Sequence, residues 1–351
     1  MKEQNTYRAT IIAVPEEIPR PLWSVMIPTY NCANYLRETL TSVLAQDPGS
    51  DVMHIEVVDD CSTKDDPESV VKEIAGDRVS FYRQPENVGH VNNFTTCIQR
   101  SRGKLIHILH GDDCVREGFY HKLQQAFDTK PEIGAAFCRH IFMDEKGHWQ
   151  HLSQILQSHS GIVDNWLEKI VVKQYVQTPS IVVRRKVYEK LGSFDRRFQF
   201  YYEDWEMWVR IATQYPVWYE VEPLAIYRQH SVSNTGQTVR TGKNMQDVRR
   251  GLEIVQSYLP FYLPQSTVEH LIDANKKHSA ICALRTAFNM LNIGDSSAAI
   301  AQMQEAFKCS ISPKVVAYFL YLTTKAGLKK VELYLSSLSE IHHNSPSTCH
   351  K

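Results

Sequence analysis

Leu105-Ile106-His107-Ile108-Leu109-His110-Gly111-Asp112-Asp113 is a short apolar run that stops at a glycine and two adjacent carboxylates. A run of this length, bounded by a turn signal, has strand character. Two neighbouring acids at a strand end repel each other unless positive charge lies beside them. A divalent cation meets that need most simply, above all one that already carries phosphates. The flanking sequence decides whether such a site fits.

Upstream, strand-like and helix-like segments alternate. Ser24 to Ile27 reads as a strand, and Tyr35 to Ala45 has helical spacing through Leu36, Leu40, Val43 and Leu44. His54 to Val58, Val79 to Tyr82 and Leu105 to Leu109 read as further strands, with helices over Glu68 to Ala75 and Val91 to Ser101 between them. This alternation predicts an α/β fold, a mainly parallel, Rossmann-like sheet flanked by helices. Downstream the pattern is mixed. Phe119 to Phe127 is helical, Gly134 to Met143 and Ser180 to Val183 are strand-like, and Trp205, Trp208, Val209 and Ala212 share a helical face. From about Met245 the pattern is helical, with a hairpin formed by Asn275 to Leu291 and Ser297 to Phe307 and another helix start at Ser312-Pro313. Residues 1–22, with Pro15, Pro19 and Pro21, read as an N-terminal extension. The polar stretch Ser231 to Asn244 marks a boundary, giving a domain over 23–240 and an α-helical C-terminal region over 241–351.

Composition narrows the function classes. The 39 basic and 39 acidic side chains balance, so no overall field favours nucleic acid as a partner. The eight cysteines form no C-x-x-C pair, which argues against a zinc site or disulfide framework and fits a reducing cytoplasm. No apolar run has the length of a membrane span. Val315 to Leu322 reads as a buried helix, with a membrane-surface helix as the second reading.

In a parallel sheet the strand ends share one edge, and ligands bind in the crevice there. The four ends are Pro28-Thr29-Tyr30-Asn31, Asp59-Asp60-Cys61-Ser62-Thr63, Pro85-Glu86-Asn87-Val88-Gly89 and His110-Gly111-Asp112-Asp113. They supply an aromatic stacking face, an acid able to accept from a base or ribose, and an acid pair for a metal. Those are the parts of a nucleotide-diphosphate site. Neither a dinucleotide nor a Walker glycine loop is present, so phosphate charge must be met by a metal and by basic side chains elsewhere.

Taken with Leu191-Gly192-Ser193-Phe194-Asp195, Glu203-Asp204-Trp205-Glu206-Met207-Trp208-Val209-Arg210 and Tyr227-Arg228-Gln229-His230, these motifs make the chain resemble family-2 glycosyltransferases of the GT-A fold over about residues 23–235. Singly each motif is weak; their order and spacing carry the resemblance. It implies an inverting transfer from a nucleotide-diphosphate sugar, expected to be UDP-linked, to a hydroxyl of a glycan or lipid-linked acceptor. A lipid-linked acceptor would place the protein peripherally at the inner face of the membrane. Pro28, Thr29, Tyr30 and Asn31 would hold the nucleotide, Asp60 its base edge, and Asn87 would stand beside it. Asp112 would bind Mn²⁺ or Mg²⁺ on the donor diphosphate, with Asp113 next to it and His230 as a further ligand. Arg228 would face the diphosphate, and Asp204 would be the general base.

Plainer readings stand beside these. Asp204 can cap a helix, Tyr30 can be core, His230 can be merely solvated, and Asn87 and Gly89 can only shape a turn. Asp59 is assigned a structural role. His110 stands where many family members carry the first acid of an Asp-x-Asp motif, which removes one negative charge beside the metal. A catalytically silent nucleotide-sugar-binding scaffold is the alternative function, motivated by His110 and by the helical tail. A sugar-1-phosphate nucleotidyltransferase calls for a Gly-rich basic loop after the first strand, and Pro28 to Asn34 has neither feature.

Overall fold

Strand β1 (Trp23–Thr29) is buried at every position, as expected of a strand covered on both faces of a parallel sheet. The computed structural model describes residues 6–231 and 233–325. From β1 the chain runs through α1 (Ala33–Leu44), β2 (Met53–Asp59), α2 (Pro67–Ala75), β3 (Ser80–Arg83), α3 (His90–Arg100) and β4 (Leu105–Ile108). It continues through β5 (Cys114–Val115), α4 (Phe119–Thr129), β6 (Ala135–Asp144), β7 (Trp149–Leu152), β8 (Gly161–Ile162), α5 (Trp166–Val172), β9 (Ile181–Arg184) and α6 (Arg185–Leu191). Last come α7 (Glu203–Ala212), β10 (Val217–Gln229), α8 (Asn234–Thr241), α9 (Lys243–Tyr258), α10 (Gln265–Asn292) and α11 (Ser296–Cys309), with helix again over 313–325.

The main path of the sheet runs β3-β2-β1-β4-β9-β6-β10-β5. Strand β1 pairs in parallel with β2 on one side and β4 on the other. The chain therefore leaves β1 in one direction, through β2 and β3, and returns on the opposite side at β4. That reversal opens a crevice beyond the carboxyl ends of β1 and β4. Strand β9 is antiparallel to both β4 and β6, while β6 and β10 are parallel to each other. The expected mainly parallel sheet is present, extended by β10 and by the short strands β5, β7 and β8.

Period-two alternation along β1 sorts the core. Val25 and Ile27 face a cluster with Leu36, Leu40, Phe119 and Leu123, from α1 and α4. Met26 faces the other side, where Phe94, Ile98, Trp205 and Trp208 meet Met245, Val248, Leu252 and Leu271 of α9 and α10. The C-terminal helices thus share a core with α7. Part of the N-terminal extension is docked as well. Arg8 is buried between Asp195, at 3.2 Å, and Glu206 of α7, at 2.9 Å, and Ile11 lies in the core. Such a buried cation is retained only where carboxylates meet it directly.

Gly103 leads into β4 at a point of very close backbone approach. A Cβ there would lie 2.4 Å from the Ser24 nitrogen and from the Trp23 carbonyl carbon. Backbone cannot rotate away as a side-chain tip can, so Gly103→Ala is expected to cost about 1–3 kcal/mol of stability. Denaturant unfolding checks this: the midpoint should fall with the m-value unchanged.

Candidate active site

The loops after β1 and β2 are stitched to each other. Asn31 takes a left-handed backbone (φ 49°), its N–H donates to Ser62 Oγ at 2.8 Å, and its Oδ1 accepts from the Thr63 and Lys64 N–H groups at 2.9 and 3.0 Å. Thr29 is buried at the strand end, and its carbonyl accepts from the Asp60 N–H. Tyr30 is 49% exposed, so its ring is not core but stands free at the rim of the crevice. Asp59 accepts from Arg83 Nε at 2.7 Å and from the Ser62 N–H, a structural role. The buried Asp60 carboxylate accepts from the N–H groups of Val88 (2.8 Å) and Gly89 (3.0 Å), and Asn87 Nδ2 donates to the Asp60 carbonyl. Burial raises the Asp60 pKa against the pull of those bonds. Each of its oxygens keeps a lone pair for a further partner.

Strand β4 continues as a ladder beside β1, with the N–H groups of Leu109 and Gly111 bonding the carbonyls of Met26 and Pro28. Gly111 fits here because a Cβ would lie 2.7 Å from Thr29 Oγ1 and 3.0 Å from Cys32 Sγ. Beyond it the two acids diverge in role. Asp113 is fully buried; its Oδ1 accepts from the Arg228 N–H at 2.8 Å, and its Oδ2 lies 3.1 Å from His110 Nδ1. Burial, then the adjacent Asp112 charge, lift its pKa to about 6. Asp112 is reached from the crevice, and its Oδ2 lies 2.9 Å from His230 Nε2. Burial would raise its pKa, but the His230 bond and the His110 charge outweigh that and hold it below the usual value. Burial also pulls His110 down, yet its bond to Asp113 and the two acid charges prevail and lift it to about 8. His110 is therefore a cation near neutral pH and restores the charge balance that an acid in its place would have worsened.

Arg228, at the end of β10, is buried and already engaged. Its Nε donates to the Asp112 carbonyl at 2.9 Å, its Nη2 to Glu38 Oε2 at 2.6 Å, and its guanidinium lies over the Tyr35 ring. Together with its N–H on Asp113, Arg228 fixes both acids. His230 also packs against Tyr35, with ring centroids 5.0 Å apart.

Asp204 is the second residue of α7. Its Oδ1 accepts from the Trp205 N–H at 2.7 Å, and its Oδ2 accepts from Gln174 Nε2 at 3.0 Å. The Trp205 bond lies within the first turn of α7 and is not an N-cap bond, the N-cap position being Tyr202. Burial first, then the neighbouring Glu203 charge, raise its pKa to about 7. The preceding Tyr202 holds a positive φ of 75°, which is costly for a residue with a Cβ.

A chain of contacts joins α7 to the acid corner. Glu203 Oε1 lies 3.3 Å from His90 Nε2, outside hydrogen-bond geometry; His90 packs edge-on to Phe94, and Phe94 stacks on His110 with centroids 5.3 Å apart. Among the described residues, the buried atoms His90 Nε2, His110 Nε2, Glu203 Oε2 and His230 Nδ1 find no hydrogen-bond partner. Buried polar atoms without partners carry a penalty that a polar ligand would remove. Glu38, His90, Gln174 and Glu203 were not singled out from sequence, because each looks like an ordinary polar residue of a helix or loop.

The donor set suits a hard divalent cation. Ligand atoms of His110, Asp112 and Asp113 all lie within 4.8 Å of one another. Of the two acids Asp112 is the more available, since both Asp113 oxygens are already bonded, and its Oδ2 faces His230. Neighbouring ligands at ~2.1 Å around an octahedral ion are ~3 Å apart, and Asp112 Oδ2 and His230 Nε2 are separated by 2.9 Å.

Residues 24–192 match the family model for glycosyl transferase family 2. An uncharacterized glycosyltransferase of Rickettsia prowazekii is 26% identical over 245 residues, 67% of this chain and 73% of the relative. Among solved structures, S. aureus TarS is similar with a TM-score of 0.59 at 14% identity, over 86% of this chain and 53% of that one, so this chain spans about half of TarS. The TarS 1–349 fragment in complex with UDP-GlcNAc gives 0.58 at 13% identity, over 82% and 91%. The mannosyltransferase PcManGT from Pyrobaculum calidifontis, in complex with GDP-Man and Mn²⁺, gives 0.54 at 17% identity, over 96% and 88%. At these identities the structural likeness is one of fold.

Proposed function

From the premise that this chain carries a glycosyl transferase family 2 domain with the GT-A fold, we propose that it is an inverting glycosyltransferase using a nucleotide-diphosphate sugar, with a UDP-sugar as the expected donor. The observation that carries this reading is Asp204: a carboxyl raised to about 7, at the start of a helix linked by Glu203, His90 and Phe94 to the acid corner. An acid poised near the working pH suits a general base.

In this reading the nucleotide lies along the loops after β1, β2 and β3, with the exposed Tyr30 ring on the base and the free lone pairs of Asp60 at its edge. The donor sugar occupies the space between Asp112 and Asp204, where the unpartnered atoms of His90, His110 and Glu203 meet its hydroxyls. An acceptor hydroxyl attacks the anomeric carbon from the side opposite the diphosphate. Asp204 takes its proton as the C–O bond forms and the bond to the nucleotide breaks. Gln174 holds Asp204 by its Oδ2, which aims the carboxylate. Asp112 and His230 would hold Mn²⁺ or Mg²⁺, which supplies Lewis-acid neutralisation of the leaving diphosphate. Arg228 acts by fixing Asp112 and Asp113, since its donors toward Asp112 and Glu38 are committed. A glycan or lipid-linked saccharide is the expected acceptor, with the protein at the inner face of the membrane where the acceptor is lipid-linked. Among the described residues no helix is long and apolar enough to cross a membrane.

The test is a panel of UDP- and GDP-sugars with Mn²⁺ or Mg²⁺, read by thermal shift, release of free nucleotide and the anomeric configuration of the product. The expected result is selective stabilisation by one donor and an inverted product. Binding without turnover on any acceptor favours the scaffold alternative, and binding of no nucleotide overturns both.

A further inference from the structure

We propose that Asp247, on helix α9 outside the family-matched segment, is a positioning residue for Asp204. The C-terminal helices would then complete the active site as well as cover it. The inference rests on Asp204 being the general base.

The segment leading into α7 has an unusual anchor. One oxygen of the Asp247 carboxylate, Oδ2, accepts from three consecutive backbone N–H groups, those of Gln199 (3.1 Å), Phe200 (2.7 Å) and Tyr201 (3.0 Å). Converging N–H groups form an anion cradle, normally filled by a phosphate or carboxylate. Here the protein fills its own cradle with a side chain from 46 to 48 residues downstream. Asp247 is buried, and Arg250 Nη1 holds its other oxygen at 3.2 Å while also donating to the Arg197 carbonyl. The next residue is Tyr202, whose positive φ turns the chain into α7. A non-glycine residue stays in that conformation only when its surroundings over-determine it.

Two further contacts from the same helices supply that constraint. Gly251, one helical turn after Asp247, lets α9 approach so closely that a Cβ would lie 3.1 Å from Tyr202 Cδ1 and 3.2 Å from Phe198 Cε1. On α10 the buried Asn275 donates to the Tyr202 hydroxyl at 3.3 Å and to the Val171 carbonyl at 2.6 Å. The turn is therefore held by its backbone, its ring and its hydroxyl, all from beyond residue 240. Glu203 and Asp204 follow directly, so the direction of the Asp204 carboxylate depends on this turn. Misplacement of a catalytic group by about 1 Å costs on the order of 10²-fold.

The experiment uses the full chain with Asp204→Asn, Asp247→Asn, Asp247→Ala and the double variant Asp204→Asn/Asp247→Asn. Asp247→Asn keeps the shape but removes the charge, leaving one oxygen to serve both the loop and Arg250. It is expected to lower kcat roughly 10-fold, and Asp247→Ala roughly 100-fold, by the same misplacement argument. Donor KM and the thermal shift on nucleotide binding should stay within about twofold, because Asp247 is bonded to the backbone at 199–201 and to Arg250, whereas the nucleotide loops follow β1, β2 and β3. The double variant should be no slower than Asp204→Asn alone, as expected for residues acting through one group. If Asp204→Asn keeps wild-type turnover, the base reading itself fails and the inference falls with it. If Asp204→Asn is inactive while Asp247→Asn keeps full kcat, only this inference is overturned. It is also overturned if Asp247→Asn loses nucleotide binding together with kcat, the sign of a merely structural role, or if the two defects multiply.

Discussion

Asp204→Asn is expected to lower kcat/KM for glycosyl transfer about 10²–10⁴-fold, the usual contribution of a positioned base, while nucleotide-sugar binding persists. The amide keeps the shape of the carboxylate and can still meet the Trp205 N–H, so α7 should start as before. What it loses is the ability to take a proton. The pH profile gives an independent signature. With its pKa raised to about 7 by burial and Glu203, Asp204 is largely protonated below neutrality. The wild-type rate should therefore climb as pH rises through about 7 and level off above it, and the variant should lack that limb. Stability should move the opposite way. A carboxyl whose folded pKa lies above its unfolded value binds more protons when folded, so its contribution falls as pH rises from about 4 towards 7. Asp204→Asn removes that loss, and its melting temperature should exceed the wild type's at pH 8 and converge with it near pH 4. Unchanged turnover would remove Asp204 from the mechanism.

What could be read from sequence was whatever local pattern and sheet geometry jointly determine. The ends of β1 to β4 announce themselves because each apolar run stops at a polar cluster, and a parallel sheet puts those clusters on one edge. Asp112 came from that logic and from the resemblance, Asp204 from the resemblance alone. Strand β10 was not recognised, although it is 13 residues long. Pro223 lies within it, and its register against β6 shifts on both sides of that proline, which breaks the alternation a strand should show. Strands β5, β7 and β8 are two to four residues long and carry no period.

The partners of the site were hidden for a different reason. Glu38 is an ordinary-looking exposed acid on α1, yet it meets Arg228 190 positions away. Nothing local in either residue encodes that pairing; it depends on β10 returning beside β4. Asp247 likewise resembles any helical acid until the turn at 199–201 is seen to wrap around it. The consequence is that Arg228, expected from sequence to face the diphosphate, is met in the fold as the organiser of the acid pair. Its N–H orients Asp113, its Nε holds the Asp112 backbone, and Glu38 keeps it in place. Asp113 then supports His110, and that histidine supplies a positive charge where a further acid would have strained the corner.

This arrangement leaves Asp112 as the acid with capacity for an external partner, and its removal should have the second large effect. Asp112→Ala is expected to abolish the divalent-dependent thermal shift produced by the nucleotide diphosphate and to slow transfer on the order of 10²-fold or more, since Lewis-acid neutralisation of a leaving diphosphate is worth several kcal/mol. The wild type should show the same loss of shift in chelator, with recovery on adding Mn²⁺ or Mg²⁺. His230→Ala should fall between the two, because it removes one nitrogen donor and leaves the carboxylate. The apo variants separate this from a folding defect. Asp112 is bonded to His230, and that bond with the His110 charge holds its pKa below the usual value, so Asp112→Ala also removes native-state stabilisation at neutral pH. The melting temperature without ligand should therefore fall, with a folded baseline retained, while the ligand-induced shift, read against each variant's own apo value, disappears. Equal stabilisation by nucleotide diphosphate in chelator and in Mn²⁺ would assign the acid corner to hydrogen bonding alone, with His110 as the charge facing the phosphates.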